Sequence, residues 1–175
     1  ISPDEGGMSR AIYIANVLGL DMGMFYKRRD YTQIVNGRNP IIAHEFLGSN
    51  VDGKDMIIID DMISSGESVL EVASALKERK AGKIFVFSTF GLFTAGLDRF
   101  DKAYEDGTIC RVLTTNLIYQ TPELLGREWY IDCDMSKYIA YIIDTLNHDA
   151  SISDLLNPVE RIQSIVTRYH AGELV

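Results

Sequence analysis

The chain has two cysteines, three histidines and no apolar run approaching the ~20 residues that a membrane span requires. Cys110 and Cys133 lie in the contexts Thr-Ile-Cys-Arg-Val and Tyr-Ile-Asp-Cys-Asp, which read as free thiols of a reducing, cytoplasmic compartment. His44, His148 and His170 are scattered without metal-ligand spacing, so no histidine-built metal site is expected. There is no internal repeat and no low-complexity segment. Positive charge is also scarce: 17 Lys and Arg against 25 Asp and Glu leave a net charge of −8. That balance argues against a nucleic-acid backbone as partner. Against it, Lys27-Arg28-Arg29 stands out as the densest basic cluster.

What is present fits one globular domain: 175 residues, 46% hydrophobic and 24% charged. Strand-like and helix-like segments alternate, the pattern of βαβ units and a parallel sheet. Met8, Ala11, Ile12, Ile14, Ala15 and Leu18 have helical spacing and stop at Gly19. Met22–Tyr26 reads as a short strand feeding Lys27. Within 30–50, the Asn36-Gly37 and Asn39-Pro40 turn signals indicate a mobile loop or hairpin, with only Ile41–Leu47 strand-like. Strands are expected at 55–59, 83–89, 111–114 and 129–131. Helices are expected at about 67–80, from Gly91 through Leu97 and Phe100, at 136–147 capped by Ser136, and after Asn157-Pro158-Val159.

The run Asp55-Met56-Ile57-Ile58-Ile59-Asp60-Asp61-Met62-Ile63-Ser64-Ser65-Gly66-Glu67-Ser68 carries the most chemistry. A buried apolar strand ends in two adjacent carboxylates, and a loop bearing hydroxyls and a glycine opens the next helix. A helix start offers unpaired amides and a partial positive charge, both suited to a phosphate. Vicinal carboxylates beside it suit ribose hydroxyls or a divalent cation. Upstream, Asp4-Glu5-Gly6-Gly7 precedes a helix and can present amides to an anion.

Asp60 through Ser68 resembles the phosphoribosyl-diphosphate (PRPP) signature of the type I phosphoribosyltransferase fold. Ser2-Pro3-Asp4-Glu5-Gly6-Gly7-Met8-Ser9-Arg10-Ala11 and Lys27-Arg28-Arg29 are similar to segments of the ribose-phosphate pyrophosphokinase (PRPP synthetase) family, in its carboxy-terminal domain. The resemblance implies an α/β, three-layer parallel-sheet domain of the type I phosphoribosyltransferase kind, with a flexible loop after the first strand and a C-terminal helical extension. Residues 1–150 would form the phosphoribosyltransferase-like domain and 151–175 its extension. Because the chain starts at Ile1 without an initiator methionine, an amino-terminal domain of the full enzyme is expected to be absent.

The implied reaction is that of a ribose-phosphate diphosphokinase, moving diphosphate from ATP to the 1-hydroxyl of ribose 5-phosphate to give PRPP and AMP. Little activity is expected from this chain alone. The resemblance assigns Lys27 and Arg29 to catalysis, and Asp60 and Asp61 to the ribose 2- and 3-hydroxyls. It assigns Ser64, Ser65, Gly66, Glu67 and Ser68 to the 5-phosphate, Gly6 and Gly7 to the pyrophosphate loop, and Asp4 to magnesium (Mg²⁺). Partners are ATP and ribose 5-phosphate, with no nucleic acid and no membrane, in a homo-oligomer of dimer to hexamer size. Ser64 stands where the family often has Asp, Glu67 puts a carboxylate in an anion loop, and Phe90 stands where the family often has His. Two other readings stay open: a PRPP-consuming phosphoribosyltransferase, and a non-catalytic regulatory paralogue.

Overall fold

The computed structural model describes residues 1–29 and 41–173, with the side chains of 27–29, 41–44 and 154 outside that description. In chain order the elements are α1 (Met8–Leu18), β1 (Met24–Arg29), β2 (Ile41–Leu47), β3 (Met56–Ile63), α2 (Glu67–Glu78), β4 (Ile84–Gly91) and α3 (Asp98–Glu105). They continue with β5 (Arg111–Thr115), α4 (Pro122–Leu125), β6 (Tyr130–Cys133), α5 (Ser136–Asn147), α6 (Ser153–Leu156) and α7 (Val159–His170).

Strands β3, β4, β5 and β6 form a parallel sheet in that order. β1 and β2 pair antiparallel, with an irregularity between Arg28 and Arg29. Ile1 and Ser2 join the two sheets. Ile1 N donates to Ile57 O at 2.6 Å and Ile59 N donates to Ile1 O at 3.0 Å. On the other side, Ser2 N donates to Gly23 O at 2.9 Å and Phe25 N to Ser2 O at 3.1 Å. One residue bonding to two partners spaced two apart is the parallel pattern, so β1 runs parallel to β3 across this two-residue bridge. The carboxyl ends of β1 and β3 therefore lie at one edge.

Alternation along β3 sends Ile58 to one face and Ile57 and Ile59 to the other. Ile58 is fully buried with Val69, Val72, Ala73 and Leu76 of α2, whose spacing of three and four places them on one stripe. Burying each such aliphatic side chain contributes roughly 1.5–3 kcal/mol. On the opposite face, Ile57 and Ile59 line a groove with Ala11, Ile14, Ala15 and Leu18 of α1, and α7 packs beside α1. Helices thus cover the sheet from both sides, the three-layer α/β architecture expected, with the C-terminal helix present. An aromatic cluster of Phe93, Phe100, Trp129 and Tyr130 closes the far end of the core, and Trp129 Nε1 donates to Asp101 Oδ1 at 2.7 Å.

Four local expectations are corrected. The strand expected at 55–59 runs on to Ile63, because β4 pairs with it as far as Gly91. No helix begins at Gly91, which ends β4; the next starts at Asp98. Between them Phe93 takes a left-handed backbone (φ 46) that drives its ring into the aromatic cluster. The start of α5 is held by Asp134, whose Oδ1 accepts the Ser136 N–H at 2.9 Å, and not by the Ser136 side chain. Finally, β1 begins two residues later than expected and extends through Arg29 on its pairing with β2. The loop expected to be flexible, at 30–40, lies outside the described residues. Both cysteines are unpaired.

Candidate active site

The acid pair sits in the last half of β3 and not beyond it. Asp60 is opposite Ser88, and Met62 opposite Phe90. Because successive residues face opposite ways, Asp60 is half-buried, with 18% of its side chain exposed, and Asp61 is 64% exposed. Asp61 N donates to Asp60 Oδ1 at 2.8 Å, which ties the first carboxylate to its own strand. Burial pushes the Asp60 carboxyl up to about 6, and the charges of Asp61 and Asp4 push the same way. A hydrogen bond from Asp60 holds Asp61 below the ordinary carboxylate range, helped by the charge of Arg10. Adjacent on one strand, the two carboxyls influence each other's ionisation.

Arg10, in the first turn of α1, reaches both carboxylates. Its Nη1 is 4.0 Å from Asp60 Oδ1 and its Nη2 is 3.5 Å from Asp61 Oδ2. The helix that carries it is fixed by the loop before it. Ser2 is fully buried, and its Oγ donates to Asp4 O at 2.6 Å. Gly7 N donates to Asp4 Oδ1 at 3.1 Å. A side chain at Gly7 would come within 2.7 Å of Ser2 Oγ and 3.7 Å of Ile59 O, so only glycine lets this loop lie flat against β3. The Asp4-Glu5-Gly6-Gly7 loop and the acid pair are thereby brought to one sheet edge.

The loop from Ser64 to Ser68 leaves the same strand. Leu92 N donates to Ile63 O and Thr94 N to Ser64 O, both near 2.9 Å, which pins the loop to the segment after β4. Gly66 has φ 81, and a Cβ there would meet the Phe100 ring at 2.3 Å. The left-handed turn starts α2 without a side-chain cap, and Ser65 Oγ accepts the Glu67 N–H at 3.4 Å. Glu67 shares a helix face with Leu70, Glu71, Ser74 and Glu78 along a groove that Arg99 and Lys102 line from α3.

Lys27 and Arg29 are on β1, opposite His44 and Ile41 of β2. Their backbone reaches the edge that carries Asp60 and Asp61; their side chains lie outside the described residues. Phe90 is partly buried beside Met62. The sequence reading passed over Arg10, although an arginine three residues past Gly-Gly in a first turn was a readable signal. Its reach to the acid pair depends on how α1 docks, which no local pattern states.

A family model described as the phosphoribosyl synthetase-associated domain matches residues 32–157. This chain belongs to that family. A ribose-phosphate pyrophosphokinase of Vibrio cholerae is 30% identical over 158 residues, covering 90% of this chain and 47% of its own length. One from Mycoplasma pneumoniae is 35% identical over 122 residues, covering 69% of this chain and 35% of its own length. The chain spans about half the length of the curated relatives it matches. The crystal structure of phosphoribosylpyrophosphate synthetase from Mycobacterium smegmatis superposes with a TM-score of 0.69 at 21% identity, over 85% of this chain and 44% of that one. That likeness establishes the shared fold. Among the described residues no helix is long and apolar enough to cross a membrane.

Proposed function

We propose that this chain is the ribose-5-phosphate-binding domain of a ribose-phosphate diphosphokinase. The supporting observation is the convergence, at one sheet edge, of an acid pair, a glycine-turned helix start, a second Gly-Gly helix start and the end of β1. In this reading Asp60 and Asp61 accept the two ribose hydroxyls. The amides and hydroxyls of Ser64, Ser65, Gly66 and Ser68 take the 5-phosphate, and Glu67 contributes its backbone N–H there. Gly6 and Gly7 present the second helix start to the pyrophosphate.

Diphosphoryl transfer gains most from fixed positive groups at oxygens where charge builds up. The 1-hydroxyl attacks the β-phosphorus of ATP, the bond to the α-phosphate oxygen breaks, and AMP leaves. Lys27 as a point charge and Arg29 as a bidentate fork are the groups assigned to that charge. Among the described residues, no three His, Cys, Asp or Glu are arranged to hold an ion. The exposed Asp4 is the residue here that would hold a hydrated Mg²⁺. Such a magnesium, when bound, offsets the charge of the nucleotide phosphates. The remaining length of the relatives is assigned much of the ATP site, and the assembly is assigned as a homo-oligomer.

Product analysis tests the proposal. The chain within its complete coding sequence, given ATP and ribose 5-phosphate, is expected to form AMP and PRPP in equal amounts. Lys27→Ala and Arg29→Ala should each reduce that rate by roughly 100-fold or more, the scale on which charge-stabilising donors act. Pyrophosphate release from PRPP and a nucleobase, without AMP formation, would point instead to a PRPP-consuming transferase.

A further inference from the structure

We infer that Arg10 is a positioning residue of this site. It holds Asp60 and Asp61 where two neighbouring ribose hydroxyls meet them, and so sets a preference for ribose over 2-deoxyribose. The inference rests on the reading of the acid pair as the ribose subsite. Two vicinal carboxylates with Asp4 nearby repel one another, and Asp61 is exposed enough to swing away. The described ion pairs place one cation on both acids, and that cation is Arg10.

Its geometry suits orientation more than neutralisation. Contacts of 4.0 and 3.5 Å exceed hydrogen-bonding distance, so the guanidinium attracts both carboxylates without occupying their lone pairs. Those lone pairs stay available to hydroxyl donors. A planar fork spans two acceptors at once, which an ammonium cannot do. Nη1 is also shielded from solvent and has no hydrogen-bond partner among the described residues. A ligand oxygen seated beside the acid pair would satisfy that donor and leave the carboxylate lone pairs to the hydroxyls. Arg10 is in turn held by the packing of Gly7 and Ser2 against β3.

The test uses the full chain and two variants, Arg10→Gln and Arg10→Lys. Each is titrated calorimetrically with ribose 5-phosphate, 2-deoxyribose 5-phosphate and inorganic phosphate. The Arg10 side chain is 37% exposed, so neither substitution opens the core. Wild type should prefer the ribose compound by about tenfold, the worth of one well-placed hydroxyl contact to a charged group. Arg10→Gln should bring that ratio to about two or less while phosphate affinity stays unchanged, and Arg10→Lys should keep an intermediate ratio because it restores charge without the fork. An unchanged ratio in Arg10→Gln overturns the inference, as does a full wild-type ratio in Arg10→Lys. An equal loss of phosphate affinity overturns it too, by making Arg10 a phosphate contact. A wild-type chain that binds neither sugar phosphate overturns the reading of the site itself, and the role of Arg10 with it.

Discussion

Single residues set the charge state of this edge. Asp60 is an acid whose folded value, about 6, lies above its unfolded value of 3.8. Between those values the folded state holds a proton that the unfolded state has released, so this group's contribution is fully present below pH 4. It is lost as pH rises through 6. Wild type should therefore lose stability relative to Asp60→Asn between pH 4 and 6, as thermal melts of the two proteins would show. Ribose 5-phosphate affinity should run the other way, strengthening through pH 6 as Asp60 ionises and becomes a full acceptor. Melting curves of the two that stay parallel across this window would contradict the assignment. Gly66 makes a second residue-level case. Gly66→Ala forces a Cβ into a left-handed turn and against Phe100, at a cost of roughly 1–3 kcal/mol. Denaturant titration should register that loss, together with weaker phosphate binding.

Elements deliver these residues, and they differ in how openly the sequence announces them. The apolar run 56–59, the helical spacing of Val69, Val72, Ala73 and Leu76, and the Gly19 stop all state local preferences, and each became the element expected. The continuation of β3 through Asp60 and Asp61 was not legible, because pairing with β4, and not composition, extends it. The turn at 92–97 was hidden for a similar reason: burial of Phe93 overrides a helix-like sequence. Ile1 and Ser2 are too few to signal a strand, yet they join β1 to β3 through four backbone hydrogen bonds. At the site, the acid pair and the 64–68 loop were readable as a motif, whereas Arg10 needed the docking of α1. The start of α5 offers a test at this scale. Asp134 accepts from both Ser136 N and Asn116 Nδ2, so Asp134→Ala should lower stability by removing both bonds at once. Chemical denaturation would measure it, and Ser136→Ala should be close to neutral.

At the scale of the whole molecule, a chain of net charge −8 gathers at one edge the segments proposed to bind anions. The order β1, Ile1-Ser2, β3, β4 places the Gly-Gly loop and the acid pair side by side, with the 64–68 loop leaving the same strand. Ligands in open α/β sheets bind beyond the carboxyl ends of strands, and this edge is where those ends meet. The proposed chemistry depends on that location. The most direct check is a crystal of the chain soaked with ribose 5-phosphate. The phosphate is expected among the amides of Ser64–Ser68, with the 2- and 3-hydroxyls on Asp60 and Asp61. A sugar phosphate seated elsewhere, or bound at this edge with its hydroxyls turned away from the acid pair, would contradict the account.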